Sequence, residues 1–201
     1  MRYGMLIDLR KCVGCNACTI ACRGQNGTPA GINFNKTKKY ETGKYPSSKM
    51  KYLPMPCMHC KNPPCMKVCP AGATEKHENG IVTADSDKCI GCRACIIACP
   101  YEARQFIWQV NQYYENQNPT PFENKKYRKF EKGTVVKCIF CIDRVAEGLP
   151  PACVHTCLSG ARVFGDLEDP NSEISKLISM HGALPFRAEL GTEPSVYYIN
   201  G

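Results

Sequence analysis

Long hydrophobic runs are missing from this 201-residue chain. The longest, such as CIIAC at 95–99 and VVKCIFCI at 135–142, fall far short of the about 20 apolar residues that carry a helix across a bilayer. No secretory leader is expected either. The chain opens MRYGMLIDLRKC and meets its first cysteine at Cys12, which leaves no room for a long apolar region and a cleavage site. The sequence also lacks the glycine fingerprint of a nucleotide-binding turn, a credible hydrolytic triad, a carboxylate pair and any long periodic helix. Histidine occurs four times and tryptophan once. These absences argue against a membrane span, a nucleotide-dependent catalyst and a hydrolase, and leave an expectation of a soluble or peripheral polypeptide without a substrate pocket of its own.

What the chain has instead is cysteine: 16 residues, about 8% of the sequence. They fall into four groups of four with none left over. Cys12, Cys15, Cys18 and Cys22 are spaced C-x2-C-x2-C-x3-C, and Cys89, Cys92, Cys95 and Cys99 repeat that spacing. Cys57, Cys60, Cys65 and Cys69 stretch the middle gap to x4, and Cys138, Cys141, Cys153 and Cys157 stretch it to x11. KCVGCNACTIAC at 11–22 and KCIGCRACIIAC at 88–99 share nine of twelve residues. Two regular groups alternating with two expanded ones indicate an internal duplication with loop insertions.

Three chemistries compete for these thiols. Disulfides are disfavoured because three cysteines within seven residues lie too close for sensible mutual bridges, and because no export signal is evident. All-cysteine zinc sites would also consume sixteen thiolates, but zinc ribbons draw two C-x2-C pairs from separate turns. A cubane offers several iron corners to one tight loop. C-x2-C-x2-C-x3-C-P is the bacterial ferredoxin run, whose fourth cysteine serves the other cluster of a pair. Cys89–Pro100 matches it fully. Nineteen residues between Cys69 and Cys89 leave room for one hairpin, so the second and third groups should form one unit and the first and fourth the other.

The formal charge of +8 would ordinarily suggest a polyanionic partner. Metal-bound thiols are deprotonated, however, and four oxidised cores of about +2 each against sixteen thiolates bring the loaded chain near zero. Arg10, Lys11, Arg23, Lys61, Lys67, Lys88, Arg93, Lys137 and Arg144 crowd the motifs and read as counter-charge, not as a nucleic-acid stripe. His59 inside C-M-H-C reads as packing beside a full cysteine set, and His77, His155 and His181 are isolated.

Local structure is expected to be short. YGMLID, NGIVTAD and GTVV precede three of the groups as β-prone runs, with a hairpin turn at Asn79-Gly80. After the fourth cysteine, CPAGAT, CPYEAR and CLSGAR each turn to an alanine. The x3 spacing suits one helical turn. DPNSEISKLISMHG should be a helix capped at Ser172 and stopped at Gly182, followed by a terminal strand in GTEPSVYYING. Two insertions stand apart: 23–56, polar and basic, and 101–137, which holds eight aromatics between Tyr101 and Phe130. The second is expected to dock a partner, since aromatics are enriched at interface cores.

With these motifs in place, the sequence resembles the four-cluster electron-transfer subunits of the complex iron–sulfur molybdoenzymes, the dimethyl sulfoxide, polysulfide, thiosulfate, tetrathionate and respiratory arsenate reductase type. The resemblance rests on MLIDLRKCVGCNACTIAC, CMHCKNPPCMKVCPAGA, GIVTADSDKCIGCRACIIACPY, KCIFCIDRVAEGLPPACVHTC and the tail from GARVFGDLEDPNSEI, and covers nearly the whole chain. It implies an α+β fold of two ferredoxin-like modules interleaved in one domain over 1–201. Residues 57–99 would form one module and 1–22 with 138–165 the other, with 23–56 and 101–137 inserted and 166–201 as a tail. It also implies four [4Fe–4S] clusters held by Cys12, Cys15, Cys18 and Cys157; by Cys138, Cys141, Cys153 and Cys22; by Cys57, Cys60, Cys65 and Cys99; and by Cys89, Cys92, Cys95 and Cys69. The implied role is a non-catalytic relay of single electrons. Its partners would be a molybdenum or tungsten bis-pterin catalytic subunit and a quinone-linked membrane anchor or other donor. The site would be peripheral to the membrane and periplasmic, reached by co-export with a twin-arginine partner. A free cytoplasmic polyferredoxin and an iron–sulfur regulatory or nucleic-acid-binding protein are the alternatives. The aromatic insertion and the tail favour a dedicated partner over both.

Overall fold

The computed structural model describes residues 1–114 and 116–200. Glu115, within the expected 101–137 insertion, and Gly201, at the end of the expected tail, lie outside the described residues. The elements are short, as the sequence suggests. In order they are β1 (Tyr3–Asp8), α1 (Ala17–Asn26), β2 (Lys36–Thr42), β3 (Lys49–Met55), α2 (Pro64–Lys67), β4 (Thr74–Lys76), β5 (Val82–Ala84), α3 (Ala94–Ile97), β6 (Arg104–Phe106), α4 (Pro121–Lys126), β7 (Val135–Lys137), α5 (Ile142–Ala146), α6 (Ala152–His155), β8 (Arg162–Asp166), α7 (Glu173–His181), β9 (Leu184–Pro185) and β10 (Val196–Ile199). Helices and strands mix as in an α+β protein.

The main sheet has the order β8-β1-β10-β9. Its centre is β1, antiparallel to β8 and parallel to β10. Met5, Leu6 and Ile7 are all buried, which marks a strand covered on both faces. Their alternation divides the interior. Leu6 points to α7, where it packs with Ile174, Ala183 and Ile199. Met5 and Ile7 point the other way, into a core that Met58, Ile81, Ile107, Phe140 and Val196 share with buried cysteines. The aliphatic core is therefore built around the thiols.

The tail forms as expected. Ser172 Oγ caps α7 by accepting from the Ser175 N–H at 3.3 Å, Gly182 follows its end, and β10 closes the sheet. The Asn79-Gly80 hairpin joins β4 to β5. Two expectations are refined. Residues 23–56 are no plain linker: β2 and β3 pair over seven residues each as an antiparallel ribbon, which the lysine-rich strands conceal. Residues 101–137 are only partly a free insertion. Their two ends pair as β6 and β7, and Tyr101, Ile107 and Phe130 are buried in the core. Of the aromatics between them, Trp108, Tyr113, Tyr114 and Phe122 are exposed.

Candidate functional site

The two regular cysteine loops share one backbone. In C-V-G-C-N, Gly14 and Asn16 take φ of 67° and 60°; in C-I-G-C-R, Gly91 and Arg93 take 70° and 61°. These left-handed residues turn the loop so that the next residues can start α1 and α3. A Cβ at Gly14 would run into the Tyr52 ring, and one at Gly91 into the Gly133 carbonyl oxygen. In the expanded groups the third loop position is His59 and Phe140, with φ of 42° and 50°. The third cysteine of every group sits in a short helix: Cys18 in α1, Cys65 in α2, Cys95 in α3 and Cys153 in α6.

The fourth cysteines Cys69, Cys99 and Cys157 open three equivalent turns. In each, the residue three positions on is left-handed (Gly72, Glu102, Gly160) and its N–H returns to the cysteine carbonyl at 3.3, 3.3 and 3.1 Å. The chain then enters β4, β6 and β8. The turn wraps N–H groups around sulfur. Desolvation raises the Cys69 thiol, but backbone N–H groups of Thr74, Ala73 and Ala71 outweigh it and leave it below its ordinary value. Cys22 instead stays inside α1 and is buried.

The side chains converge in sets that cross the sequence groups. One cavity of about 360 Å³ is lined by Cys89, Cys92, Cys95 and Cys69. A second, about 350 Å³, is lined by Cys57, Cys60, Cys65 and Cys99. A third, about 360 Å³, is lined by Cys12, Cys15, Cys18 and Cys157. Cys22 faces Cys138, Cys153 and Cys141, whose proximity, added to burial, pushes its thiol well above the ordinary range. Each fourth cysteine thus lies with three cysteines of a different group. Burial pushes Cys153 up to about 11. Burial, followed by the nearby Cys57 thiol, pushes Cys60 and Cys138 up to about 12. Such thiols lose their protons only when a strongly cationic centre binds the thiolates and the protons leave to water.

The donor set tests what fits. Among the described residues, no three Cys, His, Asp or Glu side chains are gathered as a single metal ion requires; the thiols instead surround cavities. Asn35 Nδ2 donates to Cys18 Sγ at 3.2 Å and Asn26 Nδ2 to Cys22 Sγ at 3.5 Å. His59 accepts from the Val82 N–H through Nδ1 at 3.0 Å, so Nε2 carries the ring proton. That Nε2 and Arg104 Nε are buried without a partner, and both residues line the second cavity. A sulfide-bearing cluster offers acceptors to such donors.

Three buried cations stand among the thiols, and the sequence pointed to only one of them. Lys137 is 2% exposed and donates to the carbonyls of Val82 and Cys138. Arg104 and Arg162 are each 4% exposed. Both occupy the fifth position after a fourth cysteine, a place in the repeat that motif spacing alone does not single out. Among the basic residues expected as counter-charge, Arg23 and Arg144 are half-buried, while Arg10, Lys11, Lys61, Lys67, Lys88 and Arg93 are exposed. Several of these face other partners: Arg10 pairs with Asp8, Lys61 with Glu193 and Lys88 with Asp85. His77 bonds Thr83 and His155 bonds Arg144, apart from the thiols.

Residues 48–117 and 109–167 match a 4Fe-4S dicluster domain family, and residues 11–73 match a second 4Fe-4S dicluster family. The chain is 43% identical to a selenate reductase subunit of Mesobacillus selenatarsenatis, over 99% of its own length and 72% of that protein's. It is 40% identical to the arsenate respiratory reductase iron–sulfur subunit of a Shewanella species, over 99% and 96% of the two chains. To a tetrathionate reductase subunit of Salmonella typhimurium it is 40% identical, over 98% and 72%. Cysteine cages with apolar walls, unpartnered donors on residues that line one of them and these relatives agree: the chain belongs to the family of [4Fe–4S] iron–sulfur subunits of reductase complexes, which carry electrons and do not themselves catalyse the reduction.

Proposed function

We infer that this chain carries four [4Fe–4S] clusters and relays single electrons between a molybdenum or tungsten bis-pterin catalytic subunit and a quinone-linked membrane anchor or other redox partner. The observation that carries the reading is the convergence of cysteines from different sequence groups on three cavities of nearly equal size, with a fourth such set around Cys22. On this reading Cys12, Cys15, Cys18 and Cys157 hold one cluster, and Cys22, Cys138, Cys141 and Cys153 hold its neighbour. Cys57, Cys60, Cys65 and Cys99 hold a third, and Cys69, Cys89, Cys92 and Cys95 the fourth. The chain is then two interleaved ferredoxin-like modules, 57–99 and 1–22 with 138–165. A bound cluster supplies one-electron chemistry at a potential tuned by hydrogen bonds, burial and charge. The polypeptide's part is to fix the thiols, exclude water and present donors and cations.

Access supports partners at two ends. Cys15 and Cys92 are the exposed cysteines. Val13 shares a cavity lining with Cys15, and Ile90 shares one with Cys92; both are exposed, as are Ile20, Ile97 and Leu158 on the cysteine-bearing segments. Beside Cys92, Arg93 lies over Trp108 at 4.9 Å, and Trp108 is 65% exposed. An exposed apolar side chain beside an accessible thiol suits the desolvated centre of a docking surface. Among the described residues no helix is long and apolar enough to cross a membrane. On this reading the chain sits at the membrane surface on the periplasmic side, reached by co-export with a twin-arginine partner.

Anaerobic purification tests the reading. About 16 iron and 16 acid-labile sulfide per chain are expected from four cubanes, together with co-purification of a large pterin-containing subunit. Four zinc and no sulfide would end it.

A further inference from the structure

We propose that Arg104 and Arg162 are counter-charges shared by the two clusters of each module, and that each sets the potentials of its own pair. The placement is equivalent in the two modules. Arg104 Nη2 donates to Cys65 at 3.2 Å, and Arg104 also lines the cavity that holds Cys95. Arg162 donates to Cys18 at 3.5 Å and to Cys153 at 3.7 Å. Cys65 and Cys95 are the third cysteines of the second and third groups; Cys18 and Cys153 are those of the first and fourth. Arg162 therefore touches one thiol from each cage of its module, and Arg104 touches a thiol of one cage and lines the other. Arg104 lines the cavities on both sides of it.

Neither arginine forms an ion pair with a carboxylate among the described residues, yet each is almost fully buried. A buried cation without an anion is strongly disfavoured. The nearby anions are the thiolates, and Arg162 is held toward them by Asn35 Oδ1 at 2.9 Å. Asn35 is itself 1% exposed and donates to Cys18. A fixed positive charge favours the more negative, reduced form of any centre beside it. One charge between two centres moves both in the same direction, whereas a hydrogen bond to one sulfur moves one. The other two fourth-cysteine segments carry no equivalent: Thr74 stands five residues after Cys69, and Cys22 continues within its helix.

This rests on the ligand sets proposed above, so iron and sulfide are counted first in the anaerobically purified full chain; fewer than four clusters there would fault the ligand reading, not the arginines. Arg162→Gln and Arg104→Gln are then followed by potentiometric titration with electron paramagnetic resonance. Two of the four couples should move to lower potential in each variant, a different pair each time, by at least tenfold in the oxidised-to-reduced ratio at fixed potential, which is about 59 mV for one electron. Arg→Lys at the same position should restore most of the shift. With iron retained, unmoved couples, or all four moving together, would overturn the proposal. If a Gln variant loses iron, its Lys variant decides. Full iron with wild-type couples supports the charge role, and loss of iron there too makes the arginine a packing element and overturns it.

Discussion

Substituting Gly91 by Ala should release iron far faster than the same change at Gly72, although both glycines lie in cysteine-bearing turns and both have positive φ, 70° and 61°. The backbone term is common to them. An L-residue in the left-handed region costs about 1–2 kcal/mol, and Glu102, with φ 53° in the turn equivalent to that of Gly72, shows that this turn accepts a side chain. The surroundings differ. A Cβ on Gly72 meets nothing within 4 Å, whereas one on Gly91 overlaps the Gly133 carbonyl oxygen and reaches Phe106 at 3.4 Å. Gly133 cannot simply retreat. Its N–H donates to Ile107 at 2.8 Å, and the Ile107 N–H donates back to Thr134 at 2.9 Å, with Ile107 fully buried. Displacing that backbone brings the expected total for Gly91→Ala to roughly 3–5 kcal/mol, among the large single-substitution effects. Iron release to a chelator tracks the opened population when closing is fast. Gly72→Ala should therefore speed release by about tenfold, and Gly91→Ala by more than about a hundredfold, at 1.4 kcal/mol per decade. The assay is anaerobic chelator capture followed by absorbance. Equal rates in the two variants would refute the reasoning from contact at Gly91.

Cys22→Ser should disturb the same paramagnetic centre as Cys138→Ser and spare the one disturbed by Cys12→Ser; the reverse would mean that each group holds its cluster alone. Ile174→Ala empties a fully buried site between α7 and β1 and should lower stability by about 2–5 kcal/mol with the iron count unchanged, since α7 lies on the sheet face away from the thiols; loss of iron would join the two cores. Trp108→Ala should leave iron intact and weaken capture of the catalytic partner by roughly 5–30-fold, the range of a contributing aromatic anchor; unchanged capture by quantitative pull-down would place the interface elsewhere. Deleting 105–130 should cost iron as well as partner, because Ile107 and Phe130 belong to the core; a variant with full iron would show that the core tolerates their loss.

The cysteine chemistry was legible because spacing is a local property. Three cysteines within seven residues state a tight loop, and the repeated Gly-Cys-x-Ala states its left-handed turn. The hairpin at 79–80, the cap at Ser172 and the strand in VYYI were legible for the same reason. What stayed hidden depends on distant partners. Nothing in KTKKYET shows that it pairs with KMKYLPM, because a two-stranded ribbon with exposed lysines lacks an apolar face to read. Nothing in RQFI or TVVK shows that they pair across the aromatic insertion. The buried arginines were hidden more deeply. Charge near cysteines reads as counter-charge wherever it occurs, yet only the third dimension separates Arg162, enclosed by thiols, from Arg10, which pairs with Asp8 at 2.8 Å. The repeat held a usable signal all the same: the fifth residue after Cys99 and Cys157 is arginine in both.

Comparing the four groups also shows where the two that depart from the ferredoxin spacing sit. The regular loops carry Gly at the residue before their second cysteine, Gly14 and Gly91; the expanded loops carry His59 and Phe140 there. Those two rings stack on each other, with centroids 3.7 Å apart and planes 25° from parallel. His59 is 1% exposed and Phe140 fully buried. Cys57 lies near enough to Cys138 to help raise its thiol, after burial, and Lys137 reaches from the residue before Cys138 to the Val82 carbonyl in β5. The second and fourth groups therefore face each other across the middle of the molecule. Their loops have exchanged a bare glycine for a ring that fills the junction, and the extra residues before their third cysteines, x4 and x11, lie on the same two groups. The first and third groups keep the short loop, and their cysteines Cys15 and Cys92 are the ones that reach the surface. The short spacing therefore accompanies the two groups whose second cysteines reach the surface, and the expanded spacing accompanies the two that meet at the buried ring stack.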